Sequence, residues 1–349
     1  MKIYSISVKK LLLILLCLPL IGFGQNVNIP DANFKAYLVG NTAINTNGDS
    51  EIQVSEATNF TGDITLVAGN PVYYSDLTGI EVFINLTSLD CGGNYITNLD
   101  VSQNTALTEL ECRSNQLTSL DLSNNTALTE LRCSFNQLTS LDLSNNTELE
   151  ILFCSNNLLS NLDLSQNINL KTLWCMENQI TDIIFSNNNS DLEYLSCDDN
   201  NIKSLDLSYK PNLNSLYCSN NQLECLDLSS NTSLETIFLD NNNLEQLNVQ
   251  NGVWMTGNML IEGYNNNLTC VEVDNIGFAN NMWASSFDNS VIFSTNCNYV
   301  PCNTTSAIQE LTTNKELLRT IDVLGRETKN NPIFYIYDDG TVEKRIVIE

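Results

Sequence analysis

Residues 86–249 repeat themselves every 21 positions, with one 22-residue unit, and this spacing constrains the fold more than any other feature. Leu107–Ala127 reads LTELECRSNQLTSLDLSNNTA and Leu128–Glu148 reads LTELRCSFNQLTSLDLSNNTE. Eight units begin at Leu86, Leu107, Leu128, Leu149, Leu170, Leu192, Leu213 and Leu234, and a worn ninth aligns through Ile261, Asn266, Leu268, Val271 and Val273. A fixed period of this length marks a chain that stacks one small unit many times.

One unit explains why stacking is required. Counting from Leu128, the apolar columns are Leu128, Leu131, Cys133, Leu138, Leu141 and Leu143. Alternation at Leu131-Arg132-Cys133 and at Leu141-Asp142-Leu143 predicts two short strands per coil with their apolar sides inward. Burying six such side chains stabilises by roughly 9–18 kcal/mol. Ordering each backbone costs about 1–2 kcal/mol, so 21 of them outweigh that gain. A lone coil stays unfolded, whereas stacked coils cover each other's apolar faces.

Asn94, Asn115, Asn136, Asn157, Asn178, Asn200, Asn221 and Asn242 fill one column, where a buried amide can bond the backbone of its own turn and of the next coil. With the pattern LxxLxLxxNxLxxLDLxxN, the chain resembles bacterial leucine-rich-repeat proteins of the 21-residue class over about half its length. The resemblance implies a β-rich solenoid of parallel short strands with terminal caps, its first strand lining the concave side.

Cys91, Cys112, Cys133, Cys154, Cys175, Cys197 and Cys218 stand where that family usually has leucine, and Leu239 restores leucine in the eighth unit. Side chains in register on parallel strands point the same way, so these seven are expected as small buried hydrophobes with free thiols. No CxxC pair favours a metal ladder. Past the last coil, Cys270 and Cys297 bracket a segment that resembles the C-terminal caps of secreted bacterial repeat proteins. That resemblance, in an exported chain, favours a Cys270–Cys297 disulfide. Cys225 and Cys302 are left unassigned.

The first 24 residues read as a signal peptide, with Lys2, Lys9 and Lys10 before the apolar run Leu11–Phe23. Cys17 is a weak lipidation site because Leu15 and Leu16 precede it where small residues are expected. The run is too short for a comfortable membrane anchor, and no other stretch is long enough to span a bilayer. Residues 25–85 are expected to form the N-terminal cap, 86–275 the solenoid, 276–303 the C-terminal cap and 304–349 a small β-module.

The cap contains a helix start at Ile29-Pro30-Asp31 and a loop with the spacing of an EF-hand calcium site. The candidate ligands are Asn45, Asn47, Asp49, Glu51 and Glu56. Asn45 replaces the usual Asp and Ser50 the usual Gly, so weak calcium binding stands beside an Asn/Gly-rich turn without an ion. No other cofactor is expected.

The tail alternates over Thr320–Leu324, Ile333–Tyr337 and Arg345–Glu349, with a turn at Asp338-Asp339-Gly340, predicting three strands. Its stretches DVLGRE and YIYDDGTVEK resemble the C-terminal sorting domain of the type IX secretion system of Bacteroidetes. The resemblance implies handling by that secretion machinery and a secreted or outer-membrane surface location. A β-module serving stability alone is the other reading.

Composition narrows the function. Without the first 24 residues, 12 basic residues face 41 acidic ones, a net charge of −29, which repels nucleic acid. Histidine is absent, which excludes Ser-His and Cys-His nucleophile pairs and His-ligated metals. The repeat acids lie on open strands rather than in a cleft, so no catalytic residue and no enzyme activity is expected. The acidic column Asp100, Asp121, Asp142, Asp163, Asp206 and Asp227, broken by Ile184, reads as a solvated face or a loose divalent-cation surface.

Specificity is expected in the outward columns of the first strand. Coils one to three offer charges and hydroxyls there, whereas coils four to eight offer Ile151, Phe153, Trp174, Tyr194, Tyr217 and Phe238, with Met176 nearby. Exposed aromatics of this kind dominate binding surfaces. They also stabilise a sheet by cross-strand pairing without any ligand. The expected function is recognition or adhesion, with a protein, peptide or glycan partner outside the cell. A structural component of the cell envelope is the alternative.

Overall fold

The computed structural model describes residues 25–66, 69, 72–253, 259–300 and 302, with the backbone of strands 317–321, 334–337 and 342–344. The signal-peptide reading of residues 1–24, the turn at 338–340 and strand residues 345–349 lie outside the described residues. The chain divides into two units, Met1–Tyr299 and Val300–Glu349.

The first unit is a solenoid. Ten three-residue strands pair in parallel into one sheet: Asp63–Thr65, Ser88–Asp90, Glu109–Glu111, Glu130–Arg132, Ile151–Phe153, Thr172–Trp174, Tyr194–Ser196, Ser215–Tyr217, Thr236–Phe238 and Leu260–Glu262. Each central residue points inward and is buried, as in Leu110, Leu131, Leu152 and Leu173, while its two neighbours are half-buried or exposed except at the buried Ser196 and Ser215. The register places each residue beside its counterpart one repeat on, such as Phe153 beside Trp174. Every apolar column of the sequence therefore becomes a continuous buried row.

The sheet begins one strand earlier than the repeat. Asp63–Thr65 pairs in parallel with Ser88–Asp90 across 25 positions, so the expected N-terminal cap already contributes a coil. Before it stand helices α1 (Ala32–Gly40) and α2 (Val54–Asn59). Asp31 caps α1 by accepting from Asn33 N at 2.9 Å and Phe34 N at 3.0 Å.

The expectation of two strands per coil holds only in part. On the second side, strands form at Leu162–Leu164, Ile183–Phe185, Cys225–Asp227, Gln246–Asn248, Cys270–Glu272 and Ile292–Ser294. Leu99–Val101, Leu120–Leu122, Leu141–Leu143 and Leu205–Leu207 bury the same apolar residues without joining a ladder. Alternation fixes which side chains go inward. A ladder further requires neighbouring backbones to approach within about 4.8 Å.

Two asparagine columns tie the coils together. Asn136 Nδ2 donates to Cys133 O of its own turn (3.1 Å) and to Cys112 O of the preceding coil (3.0 Å), while its Oδ1 accepts from Leu117 N (2.9 Å). The same bonds recur at Asn115 and Asn157. The second column is Asn104, Asn125, Asn146, Asn167, Asn189 and Asn231, all almost fully buried. Within it, Asn125 Nδ2 donates to Val101 O (3.0 Å) and Asn104 O (2.9 Å). At the sixth coil Lys210 replaces asparagine, only 2% exposed, and its Nζ donates to Ser186 O at 2.9 Å.

Immediately before the first asparagine column the backbone is left-handed in every coil. Gly93 or Asn occupies some of these positions, but Phe135 sits there at φ 57° with its ring exposed. Such a conformation costs a bulky residue about 1–3 kcal/mol.

The seven column cysteines are buried with free thiols, as expected. Burial pushes these thiols up, Cys133 to about 12, so none is an activated nucleophile at neutral pH. Cys270 and Cys297 form the expected disulfide, with their Cα atoms 6.0 Å apart. Cys225 and Cys302 are disulfide-bonded as well. Helix α3 (Ile276–Met282) then covers the end of the stack, where Phe278, Trp283, Phe287 and Phe293 meet edge to face.

The second unit contains a three-stranded antiparallel sheet of Leu317–Ile321, Phe334–Tyr337 and Val342–Lys344. The first strand starts three residues before the expected span, and the third lies ahead of the expected 345–349. Among the described residues no helix is long and apolar enough to cross a membrane.

Candidate functional site

The aromatic residues of coils four to eight converge into one continuous stack on the ten-stranded sheet. Phe153 and Trp174 stack at 4.2 Å between centroids, 13° apart. Trp174 meets Tyr194 at 5.9 Å, Tyr194 meets Tyr217 at 5.4 Å, and Tyr217 stacks on Phe238 at 5.2 Å. Four of these rings belong to the column before the cysteines. That column is interrupted by Ser196, the register partner of both Trp174 and Tyr217. Tyr194, two residues earlier on the same strand, closes the gap by leaning between their rings.

Arg132 extends the row at one end, its guanidinium carbon 4.7 Å from the Phe153 centroid and its Nε paired with Glu130. At the other end the next register position is Glu262. Each ring contact is worth about 0.5–1.5 kcal/mol beyond the area it buries. The stack is therefore rigid. Its faces are covered by neighbouring rings, so what it offers to solvent is mainly ring edges. Trp174 is exposed and Phe153, Tyr194, Tyr217 and Phe238 are half-buried. Ile151 lies on the same strand as Phe153, and Met176 sits half-buried just past Cys175 at the margin of the stack.

Charge surrounds this strip. Asp90, Glu109, Glu111 and Glu130 occupy the outward columns of the earlier coils, and Asp198, Asp240 and Glu262 lie along the later ones. Among the described residues, ion pairs join Lys35 to Glu51, Arg113 to Glu111, Arg132 to Glu130 and Lys171 to Glu150. Burial raises the Glu111 carboxyl above its ordinary range. The same cause, stronger than the opposing hydrogen bonds, raises Asp198. The sequence reading passed over Asp198, whose signal was its place two residues before a column asparagine, where most coils carry small or apolar residues.

The acidic column on the second side has a structural task. Asp100, Asp121, Asp142, Asp163, Asp206 and Asp227 each accept a bond from the backbone N–H two residues on, at 2.9–3.0 Å. These Asp-x-Ser turns reverse the chain after the inward leucines. The hydrogen bonds to Ser123 hold the Asp121 carboxyl below its usual range.

The loop with calcium-site spacing is closed by its own bonds. Glu56 accepts from Thr46 N (2.8 Å), Thr46 Oγ1 (3.0 Å), Asn47 N (3.1 Å) and Gln53 N (3.0 Å). Asn45 is buried and donates to Val39 O (3.0 Å) and Asp49 O (2.8 Å). Asn47 bonds Asp49 at 3.0 Å, and Glu51 pairs with Lys35 at 2.7 Å. The five candidate ligands thus share one loop, but Glu56 and Glu51 face protein donors. Among the described residues no group of three or more Cys, Asp or Glu is placed to hold a metal ion.

No protein-family model and no curated protein matches the chain. Solved structures do. The functional domain of InlJ from Listeria monocytogenes, described as including a cysteine ladder, matches with a TM-score of 0.60 and 29% identity. The match covers 80% of this chain and 64% of that one, so the chain spans less than two thirds of the InlJ domain. The internalin InlF of the same species matches with a TM-score of 0.53 at 22% identity, over 78% of this chain and 87% of that one. A leucine-rich-repeat protein of Leptospira interrogans matches with a TM-score of 0.51 at 26% identity, over 62% and 58%. The solenoid is a leucine-rich-repeat fold.

Proposed function

We propose that this chain is an exported, non-catalytic recognition protein that binds another protein through the aromatic stack on its ten-stranded sheet. The observation that carries the reading is the unbroken row from Phe153 to Phe238, held half-exposed on an otherwise acidic surface. Sugar rings pack on open aromatic faces, and here the faces are taken by neighbouring rings and by Arg132. Ring edges beside a half-exposed Ile151 suit the irregular apolar surface of a protein or peptide better than a glycan.

Export is supported by the signal-like start, by the Cys270–Cys297 disulfide, and by a tail that resembles a type IX sorting domain and carries an antiparallel three-stranded sheet. Such a tail would hand the protein to the secretion machinery and leave it secreted or on the cell surface. The calcium-like loop needs no ion to satisfy its hydrogen bonds, and any affinity there is weak.

The test is binding of the mature protein to arrays of extracellular-matrix proteins and of glycans, repeated with Trp174→Ala/Tyr217→Ala. A protein hit that the double variant loses supports the reading. Retention of that hit contradicts the patch assignment, hits confined to glycans contradict the partner class, and self-association without any hit favours an envelope component.

A further inference from the structure

The interruption at Ser196 does more than redirect Tyr194. Ser196 Oγ bonds Asp198 Oδ2 at 2.9 Å, and Asp198 Oδ1 accepts from Ser219 N of the next coil at 2.9 Å. These bonds hold the carboxylate at the margin of the stack. The Tyr194 hydroxyl is hydrogen-bonded to Tyr217 and lies within electrostatic reach of Asp198. Met176 holds the place of Asp198 one coil earlier, two residues past Trp174 as Asp198 is two past Ser196, and Glu177 N next to it donates to the Asp198 backbone carbonyl. One carboxylate and the hydroxyls of Tyr194, Tyr217 and Ser196 therefore gather in a half-buried notch in the middle of the aromatic row.

The Asp198 carboxylate can only accept, and the bonds from Ser196 Oγ and Ser219 N fill part of its capacity, while the hydroxyls of Tyr194 and Tyr217 can accept as well as donate. No ion pair among the described residues reaches Asp198. Burial pushes its carboxyl above the usual range and Asp199 adds to that, the condition of a carboxylate that has lost water without gaining a cation. Burial, the bond to Tyr217 and the nearby charges push the Tyr194 phenol up to about 12, so it stays protonated and neutral. A metal ion is poorly served by a single carboxylate.

We propose that Asp198, with the hydroxyls of Tyr194 and Tyr217, receives a lysine or arginine side chain of the protein partner, whose apolar neighbours lie along the aromatic stack. An ammonium or guanidinium supplies donors without acceptors, and its aliphatic stem suits the Tyr194, Tyr217 and Met176 surfaces. Charge complementarity agrees, because the chain carries a net charge of −26 and presents acids on both sides of the strip. The proposal rests on the patch reading above and deepens it by naming the anchoring group.

The experiment pans a displayed random dodecapeptide library against the intact protein. Synthetic copies of the selected peptides are then measured by fluorescence anisotropy against wild type, Trp174→Ala, Asp198→Asn and Asp142→Asn. Asparagine keeps an oxygen to accept from Ser219 N and an amide to donate to Ser196 Oγ, and Asp142→Asn removes an equal charge on the other side. Selected peptides are expected to share a Lys or Arg. Asp198→Asn is expected to weaken binding about 30-fold or more, and Asp142→Asn less than twofold. Replacing the shared basic residue by norleucine should cost wild type the same factor and the Asp198→Asn variant almost nothing. Peptides without a shared basic residue, or equal losses for the two Asn variants, overturn the notch while leaving the patch intact. Peptides that bind Trp174→Ala unchanged, or a library yielding none sensitive to it, overturn the patch and the notch together.

Discussion

Truncating Asn136 to alanine should open the solenoid between its second and third coils. Its amide donates to Cys112 O across the coil boundary and Cys133 O within the turn, and it accepts from Leu117 N of the preceding coil. All these groups are buried, so alanine leaves the Leu117 N–H and at least one carbonyl without partners. Each buried orphan costs about 1–3 kcal/mol, which places the loss at about 3–5 kcal/mol. Coils touch only their neighbours, so a weakened boundary also threatens cooperativity. Equilibrium urea unfolding followed by far-UV circular dichroism should show a lowered midpoint and a broadened or two-step transition. Gln137→Ala, one residue on and exposed, serves as the control and should shift stability by less than about 0.5 kcal/mol. An Asn136→Ala variant within about 1 kcal/mol of Gln137→Ala would refute the view that the amide column clamps the coils.

Three further outcomes follow from individual residues. Phe135→Asn, which suits the left-handed backbone at φ 57°, should stabilise by about 1 kcal/mol in the same urea assay; a loss would show that the exposed ring packs favourably. Burial lowers the Lys210 pKa, so the folded state disfavours its charge. That penalty is present at neutral pH and fades as pH rises towards the unfolded lysine value. Lys210→Asn should therefore raise the melting temperature at pH 7 and narrow its advantage by pH 10.5, and a lower melting temperature at pH 7 would contradict this. In the N-terminal cap, burial would raise Asp31 and Glu56, but their backbone and hydroxyl donors outweigh it and hold both carboxyls below the usual range. Their stabilisation is present above the unfolded carboxylate value near 4 and is lost as pH falls through the lower folded values. Hydrogen exchange between pH 6 and pH 3 should show α1 and α2 losing protection before the central coils, and a simultaneous loss would contradict the assignment.

Much of the fold was readable because each column repeats one chemical task. Leu131 and Cys133 reveal their burial by recurring 21 positions apart, and Asn136 by being polar in an otherwise apolar frame. The strand Asp63–Thr65 escaped the reading because its offset to the next strand is 25 positions and Thr61 stands where the repeat units carry their opening leucine. The missing second strands at Leu120–Leu122 and Leu141–Leu143 show the complementary limit: alternation sets burial, while pairing depends on spacing between coils. The aromatic strip was legible as residues, yet its merger into one stack depends on Tyr194 leaning out of its own column. The Asp column is largely solvent-exposed as expected, but its turn-forming bonds went unread although Asp-x-Ser is itself a turn signature. Asp198 occupies a variable position of the repeat, aligned with Ser155, Met176 and Ser219, so periodicity alone did not single it out.

The most direct measurement of the central claim is hydroxyl-radical footprinting of the protein alone and with its array-identified protein partner. Binding through the aromatic strip predicts strong protection of Trp174 and Tyr217, with Tyr209, which is 54% exposed, oxidised equally in both samples. Protection of Tyr209 with Trp174 left fully reactive would place the partner elsewhere and contradict the account.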